Sequence, residues 1–168
     1  MSIPVEIERK YVIEMPDTEM LKGLGGYSVS EIDQTYLSSS PAVTHRVRSR
    51  RYPDRTVYTE TKKMRIDSMS SFEDEKEIER DEYERLLLQI APDTSTIRKV
   101  RHTFIYSGRV FEIDVYPNWS RSCVLEVELE SRESSIDMPP FIRIISDVTG
   151  DKKYSNASMA RSFPEELI

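Results

Sequence analysis

Leu125-Glu126-Val127-Glu128-Leu129-Glu130 alternates apolar and acidic side chains without a break. Successive side chains on a β-strand point to opposite faces, so the run reads as a strand with one aliphatic face and one row of carboxylates. The same two-faced pattern recurs on both sides of it. Phe111-Glu112-Ile113-Asp114-Val115 sets Glu112 and Asp114 against Phe111, Ile113 and Val115. Val5-Glu6-Ile7-Glu8-Arg9-Lys10 aligns Glu6, Glu8 and Lys10, and a further run aligns Glu73, Glu75 and Glu77 against Phe72 and Ile78. Basic rows alternate in the same way: Arg46 and Arg48 flank Val47, and Lys99 and Arg101 flank Val100. Tyr58, Glu60 and Lys62 share one more face.

For any one strand, an ionic face turned to water is the ordinary reading. What sets these strands apart is that the signs are sorted, acid rows on some and basic rows on others. Residues two apart on a strand lie about 6.6 Å apart, and two carboxylates at that distance repel by roughly 2.5 kcal/mol at an effective dielectric of about 20. Full hydration relieves that repulsion, and so does an opposite charge placed between the rows. Eight strands are expected, at about 4–13, 31–38, 43–52, 56–64, 70–79, 97–107, 109–116 and 123–131, and nearly every one has an ionic face. Eight strands are enough to close a barrel whose interior holds side chains and one small ligand. The expected fold is therefore mainly β (α+β): an eight-stranded antiparallel closed barrel with a charged lumen and a few helices packed outside. Helices are expected after Asp81 (Tyr83, Leu86, Leu87 and Ile90 on one face, Glu84 as a capping-box acid, Pro92 as stop), and after Pro139-Pro140 (Phe141, Ile144, Ile145 and Val148, with Gly150 as C-cap). A third, short one is expected at 17–24.

Composition narrows the chemistry. The 168 residues read as one domain spanning 1–168, with 24 basic against 30 acidic side chains and a net charge of −6. That balance excludes a nucleic-acid binder held by bulk charge. Cys123 is the only cysteine, which rules out an internal disulfide or a cysteine metal cluster, and it reads as a strand residue. No apolar run reaches a membrane span, and the opening residues become charged too soon for a secretory signal, so a cytoplasmic protein is expected. Neither GxxxxGK[ST], GxGxxG nor GxSxG occurs. His45 and His102 fall opposite the charged rows and read as outer-face residues, which excludes zinc. Trp119 reads as a loop anchor. Basic rows grip phosphate oxygens, and carboxylate rows without histidine or cysteine bind hard cations. A polyanion carrying Mg²⁺ or Mn²⁺ is the guest such a lumen would suit.

Residue by residue, the chain resembles the CYTH proteins, the triphosphate tunnel metalloenzymes. The likeness runs through the ExExK form of Glu6-Ile7-Glu8-Arg9-Lys10, Asp33-Gln34-Thr35-Tyr36-Leu37, Arg46-Val47-Arg48, Thr61-Lys62 and Lys99-Val100-Arg101. It continues at residues 111–115 and 125–130 and at Val148-Thr149-Gly150-Asp151-Lys152-Lys153-Tyr154-Ser155-Asn156. The resemblance implies an eight-stranded tunnel that binds a triphosphate with Mg²⁺ or Mn²⁺. It makes Glu6, Glu8, Glu126 and Glu128 metal ligands, with Glu60, Glu73, Glu75, Glu112 and Asp114 as supporting acids, of which Glu112 and Asp114 are candidates for a second metal. Lys10, Arg46, Arg48, Lys62, Lys99 and Arg101 would hold phosphates, and Lys152 or Lys153 would close over the leaving group. Glu6, Glu8, Lys62, Glu128 and Lys153 are the expected catalytic set. Ser71 stands where many members place an arginine. Tripolyphosphate ranks first as substrate, cyclisation of ATP second and thiamine triphosphate third. A polyphosphate- or nucleotide-binding module without turnover is the rival of another class, and either a monomer or a homodimer is compatible with the pattern.

Overall fold

A computed structural model describes residues 4–38, 40 and 42–168; Pro41, expected at a turn, and residues 1–3 of the opening segment lie outside them. Strand formation follows the two-residue period wherever one face is aliphatic. β1 spans Val5–Glu14, β2 Ser28–Leu37, β3 Thr44–Arg51, β4 Thr56–Arg65, β5 Ser70–Ile78, β6 Ile97–Tyr106, β7 Arg109–Val115 and β8 Ser122–Glu128. All pairings are antiparallel, in the order β5-β4-β3-β2-β6-β7-β8-β1, and β1 pairs with β5 to close the ring. The result is the closed eight-stranded barrel that the charge rows imply.

Closure is short. β1 meets β5 through Val5↔Phe72, Glu6↔Ser71 and Ile7↔Ser70 only, whereas its other edge runs along β8 from Glu8↔Glu128 to Glu14↔Ser122. The remainder of the first edge is covered by a ninth strand, β9 (Ile144–Asp147), through Tyr11↔Asp147, Val12↔Ser146 and Ile13↔Ile144. This corrects the helix expected after Pro139-Pro140. Ile144, Ile145 and Val148 satisfy a helical spacing, but β-branched residues also suit a strand, and the backbone groups of β1 beyond its β5 contacts need partners.

Helix α1 is one turn, Thr18–Leu21, capped by Asp17, whose carboxylate accepts the Glu19 N–H. Helix α2, Arg80–Leu87, begins earlier than expected, with Glu79 at the cap making no side-chain bond there and Asp81 inside the first turn. A 3₁₀ turn (Lys152–Tyr154) leads into α3 (Asn156–Arg161), which periodicity did not indicate.

Apolar side chains collect in three places. Outside β1 and β6–β8, Ile13, Phe104, Phe111, Ile113 and Leu125 are fully buried under α1 and residues 136–142. Outside β2–β5, Leu37, Val47 and Ile78 are covered by Tyr83 and Leu86 of α2. The third cluster sits at one end of the lumen. There Val12, Val124, Ile97, Tyr36 and Tyr116 meet Tyr154, Met159 and Ala160 from the C-terminal segment. Trp119 is a buried anchor in this cluster; its Nε1 donates to the Pro164 carbonyl at 2.9 Å. Cys123 is buried on β8, and burial pushes its thiol up to about 12. No helix among the described residues is long and apolar enough to cross a membrane.

Candidate active site

The inner faces of the strands enclose a cavity of about 780 Å³. β1 contributes Glu6, Glu8 and Lys10, β8 Glu126 and Glu128, β5 Glu73 and Glu75, and β7 Glu112. β3 supplies Arg46, Arg48 and Arg50, and β6 supplies Lys99 and Arg101. In a ring of eight, β3 and β8 are four strands apart, so the arginine row faces the β8 acid row across the lumen. Lys152 lines the cavity from the C-terminal segment.

Two kinds of carboxylate occur on these inner faces. Asp114 is completely covered and saturated: it accepts from Lys99 Nζ at 2.8 Å, Arg101 Nε at 2.7 Å and Arg101 Nη2 at 2.8 Å. Burial alone would raise its pKa, but the Arg101 and Lys99 charges override it and hold the carboxyl well below its ordinary range. Glu112 accepts from Arg101 Nη1 at 2.9 Å. Glu126 lies 3.3 Å from Lys10 Nζ, and despite burial the Lys10 and Arg101 charges bring it down to about 2. These acids orient bases. Asp114, expected as a possible metal ligand, accepts from Lys99 and Arg101 here and so positions both bases.

Glu6, Glu8 and Glu128 differ. Among the described residues no base stands within ion-pair distance of them. Glu8 and Glu128 are direct cross-strand partners, a placement that brings Cβ atoms to about 5 Å and is unfavourable for like charges. Burial, then the Glu126 charge, pushes Glu8 up to about 7. Burial, then a hydrogen bond and repulsion from Glu73, pushes Glu6 up to about 8. Protons or a cation would relieve this wall. The donor set is oxygen only, the chemistry of a hard divalent ion. Among the described residues no three acidic, histidine or cysteine side chains form a ready-made cage, so any cation there would complete its shell with water or ligand oxygens.

The basic wall has spare capacity. Arg46 and Arg48 reach Glu73 and Glu75 only at 3.4 and 3.5 Å, and the Nε of each is buried without a partner. Burial, then the Arg46 and Arg101 charges, lowers Arg48 to about 10. Burial likewise brings Lys99 down to about 8, against the pull of Asp114.

Several expected residues lie elsewhere. Register pairs Arg46 with Thr61, so the inner face of β4 is Thr61, Lys63 and Arg65. Lys62 is exposed on the outside, and Glu60 is there too, bound to His45 Nε2 at 2.7 Å and to Lys76 at 3.2 Å. Lys153 is exposed and does not line the cavity; its Nζ sits 5.8 Å from the Tyr154 ring centre. His102 faces outward onto the Tyr27 hydroxyl at 2.9 Å. Gln34, Arg50, Lys63 and Arg65 are among the lining residues to which the sequence reading gave no role. For Lys63 and Arg65 the usable signal was the Thr61–Arg46 pairing, which requires the hairpin register.

At one mouth the β4–β5 turn meets the C-terminal segment. Gly150, at φ +75°, approaches so closely that a Cβ there would stand 2.7 Å from Ser68 Cβ and 3.1 Å from the Ser68 backbone.

A closed ring of eight antiparallel strands with acid and base rows on its inner face defines the CYTH, or triphosphate tunnel, class, and the fold of this chain is of that class. Among solved structures, that of the inorganic triphosphatase NE1496 is similar at 27% identity and a TM-score of 0.60, covering 95% of this chain and 96% of that one. The PH1819 protein from Pyrococcus horikoshii OT3 shares the fold at 20% identity and a TM-score of 0.56, covering 76% of this chain and 80% of that one. Neither a protein-family model nor a curated protein matches the sequence.

Proposed function

We propose that this protein hydrolyses the terminal phosphoanhydride of a triphosphate, with inorganic tripolyphosphate as the preferred substrate and Mg²⁺ or Mn²⁺ as cofactor. One observation carries the reading: Glu6, Glu8 and Glu128, which form no ion pair among the described residues, share one cavity with arginines that have unused donors. Similarity to an inorganic triphosphatase along nearly the whole chain supports it. Phosphoryl transfer asks mainly for alignment and charge compensation, and this lumen is built for both.

The β3 arginines and Arg101 would bind the non-bridging oxygens, with Lys63 and Lys152 adding charge from β4 and the C-terminal segment. Asp114 keeps Lys99 and Arg101 in place, so their orientation is set before substrate arrives. Glu6, Glu8 and Glu128 would hold the divalent ion, which supplies charge neutralisation and lowers the pKa of water bound to it. Tyr36 is the aromatic side chain that borders the cavity among the described lining residues, and Trp119 is buried with its indole N–H spent on Pro164. The lumen therefore offers little stacking surface for adenine or thiazole, which favours an inorganic chain.

Phosphate release from tripolyphosphate, ATP and thiamine triphosphate, each with Mg²⁺ or Mn²⁺, tests the reading. Tripolyphosphate should be cleaved fastest, and Glu128→Gln should lower its kcat/KM by roughly 100-fold or more while the fold is kept. Tripolyphosphate bound but not cleaved over hours would identify a binding module instead.

A further inference from the structure

Gln34 lies on the inner face of β2, fully buried, two residues before Tyr36. Its Nε2 donates to the Tyr36 hydroxyl at 2.6 Å, while its Oε1 is buried without a partner in a residue that lines the cavity. The surroundings favour that amide direction. Arg46 and Arg48 hold the cross-strand positions opposite Tyr36 and Gln34, and guanidinium groups only donate, so the negative end of the amide faces positive charge. Nearby lysines do not satisfy the oxygen. Lys99 is bound to Asp114, and Lys10 is bound to Glu126 and the Tyr154 carbonyl.

An unfilled acceptor is out of place in a chamber for a polyanion, because ionised tripolyphosphate brings oxygens and no hydrogens. The free Nε groups of Arg46 and Arg48 would be taken by phosphate oxygens once substrate is bound, which leaves water as its donor. We propose that Gln34 Oε1 accepts a hydrogen bond from the attacking water and orients it toward the terminal phosphorus, with Tyr36 holding the amide in place. This rests on the triphosphatase reading above. In the step, the water oxygen bonds to the terminal phosphorus as the bond to the bridging oxygen breaks, and the electron pair leaves on diphosphate. One hydrogen of the water stays on the orthophosphate and the other goes to the diphosphate. Gln34 takes no proton.

The test compares steady-state tripolyphosphate hydrolysis by the wild-type chain, Gln34→Met and Gln34→Glu, all with Mg²⁺ and with the fold checked by circular dichroism. Methionine keeps the length and removes the acceptor, so kcat should fall roughly 100-fold with KM changed less than about twofold. Glutamate keeps an oxygen at the same reach but adds a negative charge. It should hold kcat within about tenfold of wild type and raise KM. An unchanged kcat in Gln34→Met, or a loss confined to KM, would overturn the assignment and make the amide a phosphate contact. Should Gln34→Met fail to fold, Gln34→Glu decides alone: a kcat loss near 100-fold in it removes the proposal. A wild-type chain that releases no phosphate from tripolyphosphate fails differently, because it overturns the triphosphatase reading before Gln34 is reached.

Discussion

Lys62 and Lys63 are neighbours in sequence and face opposite sides of the barrel wall, the first toward solvent and the second toward the arginine row. A charged hydrogen bond contributes about 1.5–3 kcal/mol, so losing one from a bound phosphate weakens the site roughly 10–100-fold. Lys63→Met should accordingly raise KM for tripolyphosphate by at least about tenfold, while Lys62→Met should leave both kcat and KM within about twofold. Steady-state kinetics on the two variants checks this, and equal effects would mean that β4 is turned the other way in solution. The same pair marks a limit of reading the sequence. Both faces of β4 are polar, Tyr58-Glu60-Lys62 on one and Thr59-Thr61-Lys63 on the other, so a two-residue period reveals the strand but not which side is inside. On β7 and β8 the aliphatic residues settle that question, and the placement of Glu112, Glu126 and Glu128 was legible from the alternation itself.

At the scale of elements, the barrel strands declared themselves and the segment after β8 did not. Nearly all the barrel strands carry a local signal, an alternation within their own length, and β2 (Ser28–Leu37) is the exception. β9 has no such signal. It forms because β1 offers an uncovered edge, a demand set by a strand some 130 residues away in sequence. The lids and turns around the mouth are similarly non-local, and glycines test them. Gly108 and Gly150 both sit at φ +75°, but a Cβ at Gly108 meets nothing within 4 Å, whereas one at Gly150 runs into Ser68. Gly108→Ala should therefore lose only the strain of a left-handed alanine, about 1 kcal/mol. Gly150→Ala adds a backbone clash and should lose about 2–4 kcal/mol. Urea unfolding of both variants measures the difference, and similar losses would show that the turn does not press on the C-terminal segment.

For the whole molecule, the acid wall makes stability depend on pH in an unusual sense. Glu8 titrates near 7 in the folded chain and near its ordinary value of 4.5 once unfolded. The folded state binds its proton more tightly, so this contribution is complete below about 4.5 and is lost as pH rises through 7. Glu6, at the mouth, acts in the same direction up to about 8. Asp114 and Glu126 act oppositely, but their contribution is lost only in acid, below the ordinary carboxylate range. His102, whose pKa burial lowers, partly offsets the trend near its ordinary value of 6.5. Cation-free protein should thus melt about 5 °C lower at pH 8 than at pH 5. Glu8→Gln should flatten that slope, and Mg²⁺ should raise the Tm more at pH 8 than at pH 5. Calorimetric scans would refute the assignment if the variant fell as steeply as wild type. The barrel's closure also bears on how the chain is made. Of the barrel strands β1 is made first, yet Glu8 pairs with Glu128, 120 positions later, and β9 completes the other edge later still. Pairings this distant form slowly and leave apolar residues such as Tyr11, Val12 and Ile13 bare meanwhile. A nascent chain stalled before β8 carries an unpaired, aggregation-prone β1, so soluble yield depends on whatever shields that strand until β8 and β9 have been made.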